Sequence, residues 1–115
     1  MQIVKSKITK KELAQKHLSY FKTMVKAVVD IKEELIAIDA ELHSDLEELL
    51  LDNGSKQKDL WGINLYPLQS KKNFIEYTSF INIRPSQDNY SMEIANKAIQ
   101  KKIENIVKKL IDHDS

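Results

Sequence analysis

ELHSDLEELLLDNGSKQKDLWGINLYP, residues 41–67, admits two readings, and the choice between them sets how many strands the fold contains. In the first, Ser44-Asp45-Leu46-Glu47 is a capping box, in which a hydroxyl and a carboxylate satisfy free backbone amides at a helix start. Leu42, Leu46, Leu49 and Leu50 then form a helical stripe. In the second, Asp52-Asn53-Gly54-Ser55 is a hairpin turn, because Asn-Gly tolerates the two positive-φ positions of a two-residue β-loop. Residues 46–52 would then pair with 59–66. The run Leu60-Trp61-Gly62-Ile63-Asn64-Leu65-Tyr66 alternates as a strand does and tips the reading toward the hairpin.

Upstream, residues 2–8 read as a short strand. Thr9-Lys10-Lys11-Glu12 is another capping box, and Leu13, Ala14, His17, Leu18 and Phe21 recur at helical spacing, predicting a helix over about 10–22. Met24 to Ile31 and Leu35 to Ala40 predict two strands joined at the polar Lys32-Glu33-Glu34. Downstream, FIEYTSFINIR (74–84) alternates throughout and predicts a strand that Pro85 ends. Ala95, Ala98, Ile99, Ile103, Ile106, Val107, Leu110 and Ile111 form one apolar stripe, predicting a helix over about 91–111. Strands in the middle and helices at both ends predict an α+β fold. Its mainly antiparallel sheet would have about five to six strands, with an N-terminal helix and a long C-terminal helix packed on it. No repeat or Gly/Pro/Ser-rich linker divides the chain, so residues 1–115 are expected to form a single domain.

Composition narrows the function. Apolar residues are 42% and charged residues 30% of the 115, enough for a core and unlike a disordered chain. Eighteen basic and seventeen acidic side chains nearly cancel, which argues against nucleic-acid binding. No cysteine is present, which excludes disulfides and thiolate chemistry. No apolar run approaches the ~18 residues of a membrane span, and Met1-Gln2-Ile3-Val4-Lys5 is unlike a signal peptide, so a soluble, cytoplasmic protein is expected. P-loop, GxSxG and dinucleotide-glycine patterns are missing. Seventeen of the basic residues are lysine, and the lone arginine is Arg84. A Lys-, Ile- and Asn-rich chain of this kind matches an AT-rich genome. Lys101, Lys102, Lys108 and Lys109 read as the solvated face of the last helix, His17 as a helix residue and His113 as tail.

Three constellations carry chemistry. Glu41, His43, Asp45 and Glu47 share one face of a strand, or become i, i+4 pairs on a helix; either way an imidazole meets carboxylates. Glu41, His43 and Asp45 are therefore candidate ligands for a divalent metal, His43 also a candidate base, and the alternative is a solvated acidic face. No HExxH or paired-histidine pattern supports a metal, so no cofactor is assigned. Second, Arg84 offers a planar fork for a carboxylate or phosphate, with Ser86, Gln87 and Asn89 beside it and a helix N-terminus close by. The alternative is structural: Arg84 pairs with a carboxylate such as Asp59 or Glu76, and Ser86 or Asn89 caps the helix. Third, Trp61, Ile63 and Leu65 alternate against Gly62, Asn64 and Tyr66. Gly62 permits close approach of a backbone or a ligand, and Asn64 and Tyr66 could line a polar pocket with Asn82 and Arg84. Ordinary cross-strand contacts are the alternative.

MVKAVVD (24–30), ELHSD (41–45), DNGSKQKDLWGINLYP (52–67) and FINIRPSQ (80–87) together resemble an uncharacterised prokaryotic family known as a domain of unknown function. The resemblance spans roughly residues 1–110 and is most specific at LWGINLYP and INIRPSQ. It implies a self-contained domain and no particular activity. Members of that family tend to carry small residues before ELH and a glycine after the Gln; here Asp39-Ala40 and Asp88 stand there.

The expected function is binding of a small anionic molecule, phosphate or carboxylate, at a pocket formed by Arg84, Ser86, Gln87, Asn89, Asn64 and Tyr66. The competing expectation is a module that forms a homodimer or docks on a partner, without catalysis. Neither nucleic acid nor membrane is an expected partner, and whether the chain is an enzyme stays open.

Overall fold

A computed structural model describes residues 1–112, and His113 with the tail reading attached to it lies outside the described residues. The central feature is the strand β5, Leu60–Leu65, buried along its whole length. Its neighbours follow in chain order: β1 (Gln2–Val4), β2 (Ile8–Thr9), β3 (Val25–Asp30), β4 (Leu35–Ile38), β6 (Ile75–Glu76) and β7 (Ile111–Asp112). Four of them join β5 in an antiparallel sheet of order β1-β4-β3-β5-β6, while β2 and β7 make a separate parallel pair. The helices are α1 (Lys10–Lys16), α2 (His43–Asp52) and α3 (Lys97–Leu110). The fold is α+β, with a five-stranded antiparallel sheet and a long C-terminal helix.

Register decides what each face does. Ala27 pairs with Ile63 and Val29 with Trp61, and these side chains join Leu13 of α1 and Ile103, Ile106, Val107 and Leu110 of α3 in one core. The intervening Val28, opposite Gly62, faces the other way, into a second core with Ala37, Leu60 and the α2 residues Leu46 and Leu50. Both sheet faces are thus covered, one by α1 and α3 and the other by α2. Among the described residues, no helix is long and apolar enough to cross a membrane.

Residues 46–52 are helix, so the favoured hairpin is corrected. Gly54 does hold a positive φ of 101°, but it does so as the residue after a helix C-cap. Ser55 N–H donates to Leu50 O at 3.0 Å and Gly54 N–H to Leu51 O at 3.1 Å, the paired bonds of a Schellman closure. Asn-Gly satisfies either ending; burial of Leu46 and Leu50 against the sheet selects the helix.

Three boundaries also shift. The first helix ends at Lys16, where His17 N–H caps Leu13 O and the His17 ring turns to Asp39, Nδ1 to Oδ2 3.0 Å. Residues 2–8 split, because β1 joins the main sheet while Ile8 and Thr9 pair with Ile111 and Asp112. The last helix starts at Lys97, with the Asn96 side chain accepting from Ala98 N–H at 2.9 Å and Ile99 N–H at 3.1 Å.

The alternating 74–84 segment makes only the two-residue strand β6, then a tight helical turn at Phe80–Asn82. Gly62 is the cause. A Cβ there would lie 2.5 Å from Ser79 Cβ, so only glycine lets the chain fold down onto β5 at that point. Asn82 then takes the place of a strand: its Oδ1 accepts from Gly62 N–H at 2.8 Å and its Nδ2 donates to Gly62 O at 2.9 Å.

Asp88 stands at φ 57° and Asp39 at φ 74°, both left-handed, a conformation that glycine adopts at less cost. Asp39 holds His17, whereas Asp88 only accepts a 3.3 Å exposed hydrogen bond from Tyr90. Asp88→Gly is therefore expected to raise the unfolding free energy by about 0.5–1 kcal/mol, because the left-handed backbone costs an L residue more than glycine. Urea denaturation checks it, and a destabilised variant would contradict the account.

Candidate functional site

Arg84 is the best-fixed side chain of the sequence-predicted pocket. It follows the Phe80–Asn82 turn, which aims it back along β5, and it is 7% exposed. Its Nε–H donates to Ile81 O at 3.1 Å. One terminal nitrogen donates to Gln57 O at 2.9 Å and Gln87 Oε1 at 3.3 Å, and the other donates to Leu60 O and lies 3.8 Å from Glu47 Oε2. The guanidinium carbon stacks 4.6 Å from the Trp61 ring centre. Burial pulls its pKa down, and Glu47 opposes that shift. The fork is thus filled by carbonyls, a carboxamide and a carboxylate of the chain itself, and that carboxylate is Glu47 rather than Asp59 or Glu76.

Its predicted companions are similarly committed. Gln87 Nε2 donates to Lys58 O at 3.0 Å. Asn89, 3% exposed, organises the loop around it: Nδ2 donates to Asn82 O at 2.7 Å and to Ser91 O and Glu93 O at 3.0 Å each, while Oδ1 accepts from Ala95 N–H at 2.9 Å. Ser86 is exposed. The helix N-terminus expected beside them begins instead at Lys97, where Asn96 already occupies the first amides.

Asn64 and Tyr66 come together, away from that loop. Asn64 Nδ2 donates to Glu76 Oε1 at 2.8 Å and to Thr78 O at 3.2 Å, and Tyr66 O–H donates to the same Glu76 oxygen at 2.9 Å. Burial, then the Glu76 carboxylate, raises the Tyr66 pKa. Register puts Lys26, Asn64 and Glu76 side by side on three adjacent strands. Glu76 and Lys26 lacked a sequence signal as site residues, because the pairing that aligns them exists only in the sheet.

His43 joins this corner from the start of α2. It is 8% exposed, with Nε2 2.8 Å from Ile63 O, which fixes that nitrogen as the donor. Glu41 and Asp45 are exposed and do not gather around it. Among the described residues no three His, Asp or Glu side chains are grouped to hold a metal ion.

Burial lowers the His43 pKa from 6.5, outweighing the hydrogen bond to Ile63 that raises it. The folded chain then keeps His43 neutral at a pH where the unfolded chain protonates it. Its contribution to stability is complete above pH 6.5 and is lost as the pH falls through that value toward the folded pKa. Unfolding free energies of wild type at about pH 7.5 and 5.5 should differ more than those of His43→Gln, which keeps an N–H donor but no titration. Equal pH dependence in the two proteins would contradict this.

A further cavity lies elsewhere, on the α3 side. A cleft of about 400 Å³ opens between α3, the strand β7 it runs into, and residues 71–77. Its wall is apolar at Phe74, Ile75, Val107 and Ile111, with Tyr77 beside them. Lys71 and Lys72 enter from the turn before β6, Lys108 from α3 and Lys7 from the segment before β2. Glu104 and Asp112 are the two acids present. Pairing of β2 with β7 brings Lys7 there, and helical spacing puts Glu104, Val107 and Lys108 on one stripe. Lys101 at 2.9 Å and Lys108 at 3.4 Å from Glu104 Oε1 hold its pKa down, the former more strongly. Burial and then Glu104 push the Tyr77 pKa up, so Tyr77 stays a neutral donor. Sequence reading missed this site, since its lysines are scattered from position 7 to 108 and Lys108 reads as solvated surface.

Residues 2–110 match the family described as "Protein of unknown function (DUF5674)", and the chain belongs to that family. No curated protein and no solved structure matches it.

Proposed function

We propose that this member of the DUF5674 family is a small-molecule-binding domain whose ligand is an anion, taken into the cleft between α3 and residues 71–77. The observation that carries this reading is the convergence of Lys7, Lys71, Lys72 and Lys108 from three separate chain segments on one concave site, where Glu104 and Asp112 oppose them. A concave site of this size, with an apolar wall and a few converging polar groups, is where small ligands bind in general. Arg84 serves the fold in this reading, and the anion is held by ammonium groups.

The test compares wild type with a Lys7→Glu/Lys72→Glu variant, both positions being exposed. Methyl phosphate titrated into labelled protein should shift the amide resonances of Phe74 and Tyr77. Affinity should fall by at least about tenfold in the variant, given roughly 1 kcal/mol per close charge pair in water. Shifts of equal size in both proteins would overturn the assignment.

One observation favours a second reading, self-association. Leu42 and Phe80 are 52% and 77% exposed and flank a smaller pocket of about 110 Å³ that also includes Ile81. Sedimentation equilibrium of wild type and Phe80→Ser decides it: a dimer lost on substitution supports the reading, and a monomeric wild type removes it.

A further inference from the structure

We infer that the cleft ligand is an amphiphilic anion, a phosphate monoester or carboxylate joined to an aliphatic or aromatic body, rather than a free inorganic ion. This rests on the anion-binding reading above and adds what the rest of the molecule must be. The argument is one of shape and chemistry. Phosphate alone would leave most of a cavity of about 400 Å³ to water, and ligand cavities of roughly 300–1,000 Å³ hold whole organic molecules. The chemistry is divided as well. Lys7 and Lys72 are exposed, so they meet a charged head at the solvent side. Ile75 and Tyr77 are half-buried and pack on the core residues Phe74, Val107 and Ile111, so the wall behind the lysines offers an apolar surface to the body of a ligand. Tyr77 packs against that same core and remains a neutral donor for an ester or carbonyl oxygen. An anion lacking an apolar body would strip water from the lysines and leave this wall wet.

The test is a series of n-alkyl phosphates, methyl, butyl and hexyl, titrated into the full chain and followed by amide shifts and calorimetry. Each methylene that leaves water for the wall should raise affinity about fourfold, so butyl should exceed methyl phosphate by tens of fold. The shifts should stay on Phe74, Tyr77 and Ile111. The Lys7→Glu/Lys72→Glu variant should weaken every member equally, because it alters only the head. A flat series with methyl phosphate still bound and still sensitive to the lysines overturns this inference and leaves anion binding standing. Absence of binding by the whole series, or binding insensitive to the lysines, overturns both. A rising series whose shifts fall around Leu42 and Phe80 instead also overturns the inference, by placing the apolar contact at the other pocket. Hexanoate in place of hexyl phosphate then tells a carboxylate head from a phosphate head.

Discussion

Arg84→Ala is expected to lower the unfolding free energy by about 3–5 kcal/mol, the range for removing one partner of a buried, hydrogen-bonded charge network. Three backbone carbonyls, of Gln57, Leu60 and Ile81, lose the guanidinium as donor, Gln57 O keeping only the Leu60 N–H, and Glu47 loses its counter-ion. The stack on Trp61 is lost as well. A domain of this size is stabilised by only about 5–15 kcal/mol, so the variant loses a large fraction of its margin. Arg84→Lys should recover little of it, because an ammonium cannot reach carbonyls on three sides from one plane. Urea denaturation of the three proteins checks this. A loss under about 1 kcal/mol for Arg84→Ala would contradict the structural role and return the residue to the list of ligand anchors.

Asn82→Ala is expected to cost a similar amount, about 3–5 kcal/mol, for a different reason. Asn82 is fully buried, and its carboxamide is paired as a peptide unit would be: with Gly62 N–H, Gly62 O, and Met92 O at 3.0 Å. Alanine leaves the Gly62 amide and carbonyl without partners in the interior, while Met92 O keeps the Ser79 N–H at 3.1 Å. Asn82→Asp keeps the acceptor for Gly62 N–H but turns a carboxylate oxygen toward two carbonyls, and should destabilise at least as much. Hydrogen exchange gives a specific readout, since the Gly62 amide should lose protection before its β5 neighbours do. Protection at Gly62 unchanged in Asn82→Ala would show that the side chain is not its partner.

Both residues stand in the segment 74–84, where sequence and structure part most instructively. The alternation there is real: Asn82 and Arg84 do both reach β5. The segment fails to continue as a strand because glycine at position 62 opens a hollow that the Ser79 turn fills. A missing Cβ changes local space without changing local periodicity, so pattern reading sees a strand. The 41–54 stretch fails differently. Asn-Gly reports a positive φ and nothing about what precedes it, and the same geometry closes a hairpin or a helix.

What the sequence by itself determined is whatever depends on neighbours along the chain. The β3–β4 hairpin, the stripe of α3, the alternation of Trp61, Ile63 and Leu65 into the core, and the α+β class all follow from periods of two and of 3.6. It also marked Arg84 as unusual, since a guanidinium retained among seventeen lysines has a geometric use. Only the tertiary structure decided what Arg84 grips, because Gln57, Leu60 and Glu47 meet it from distant positions once α2 and β5 have packed. The cleft belongs to the same class. Its lysines lie up to a hundred residues apart, and they share a site because β2 pairs with β7 and α3 runs across the sheet. Local chemistry is written in order along the chain, whereas a cavity exists only between elements that the chain order keeps apart.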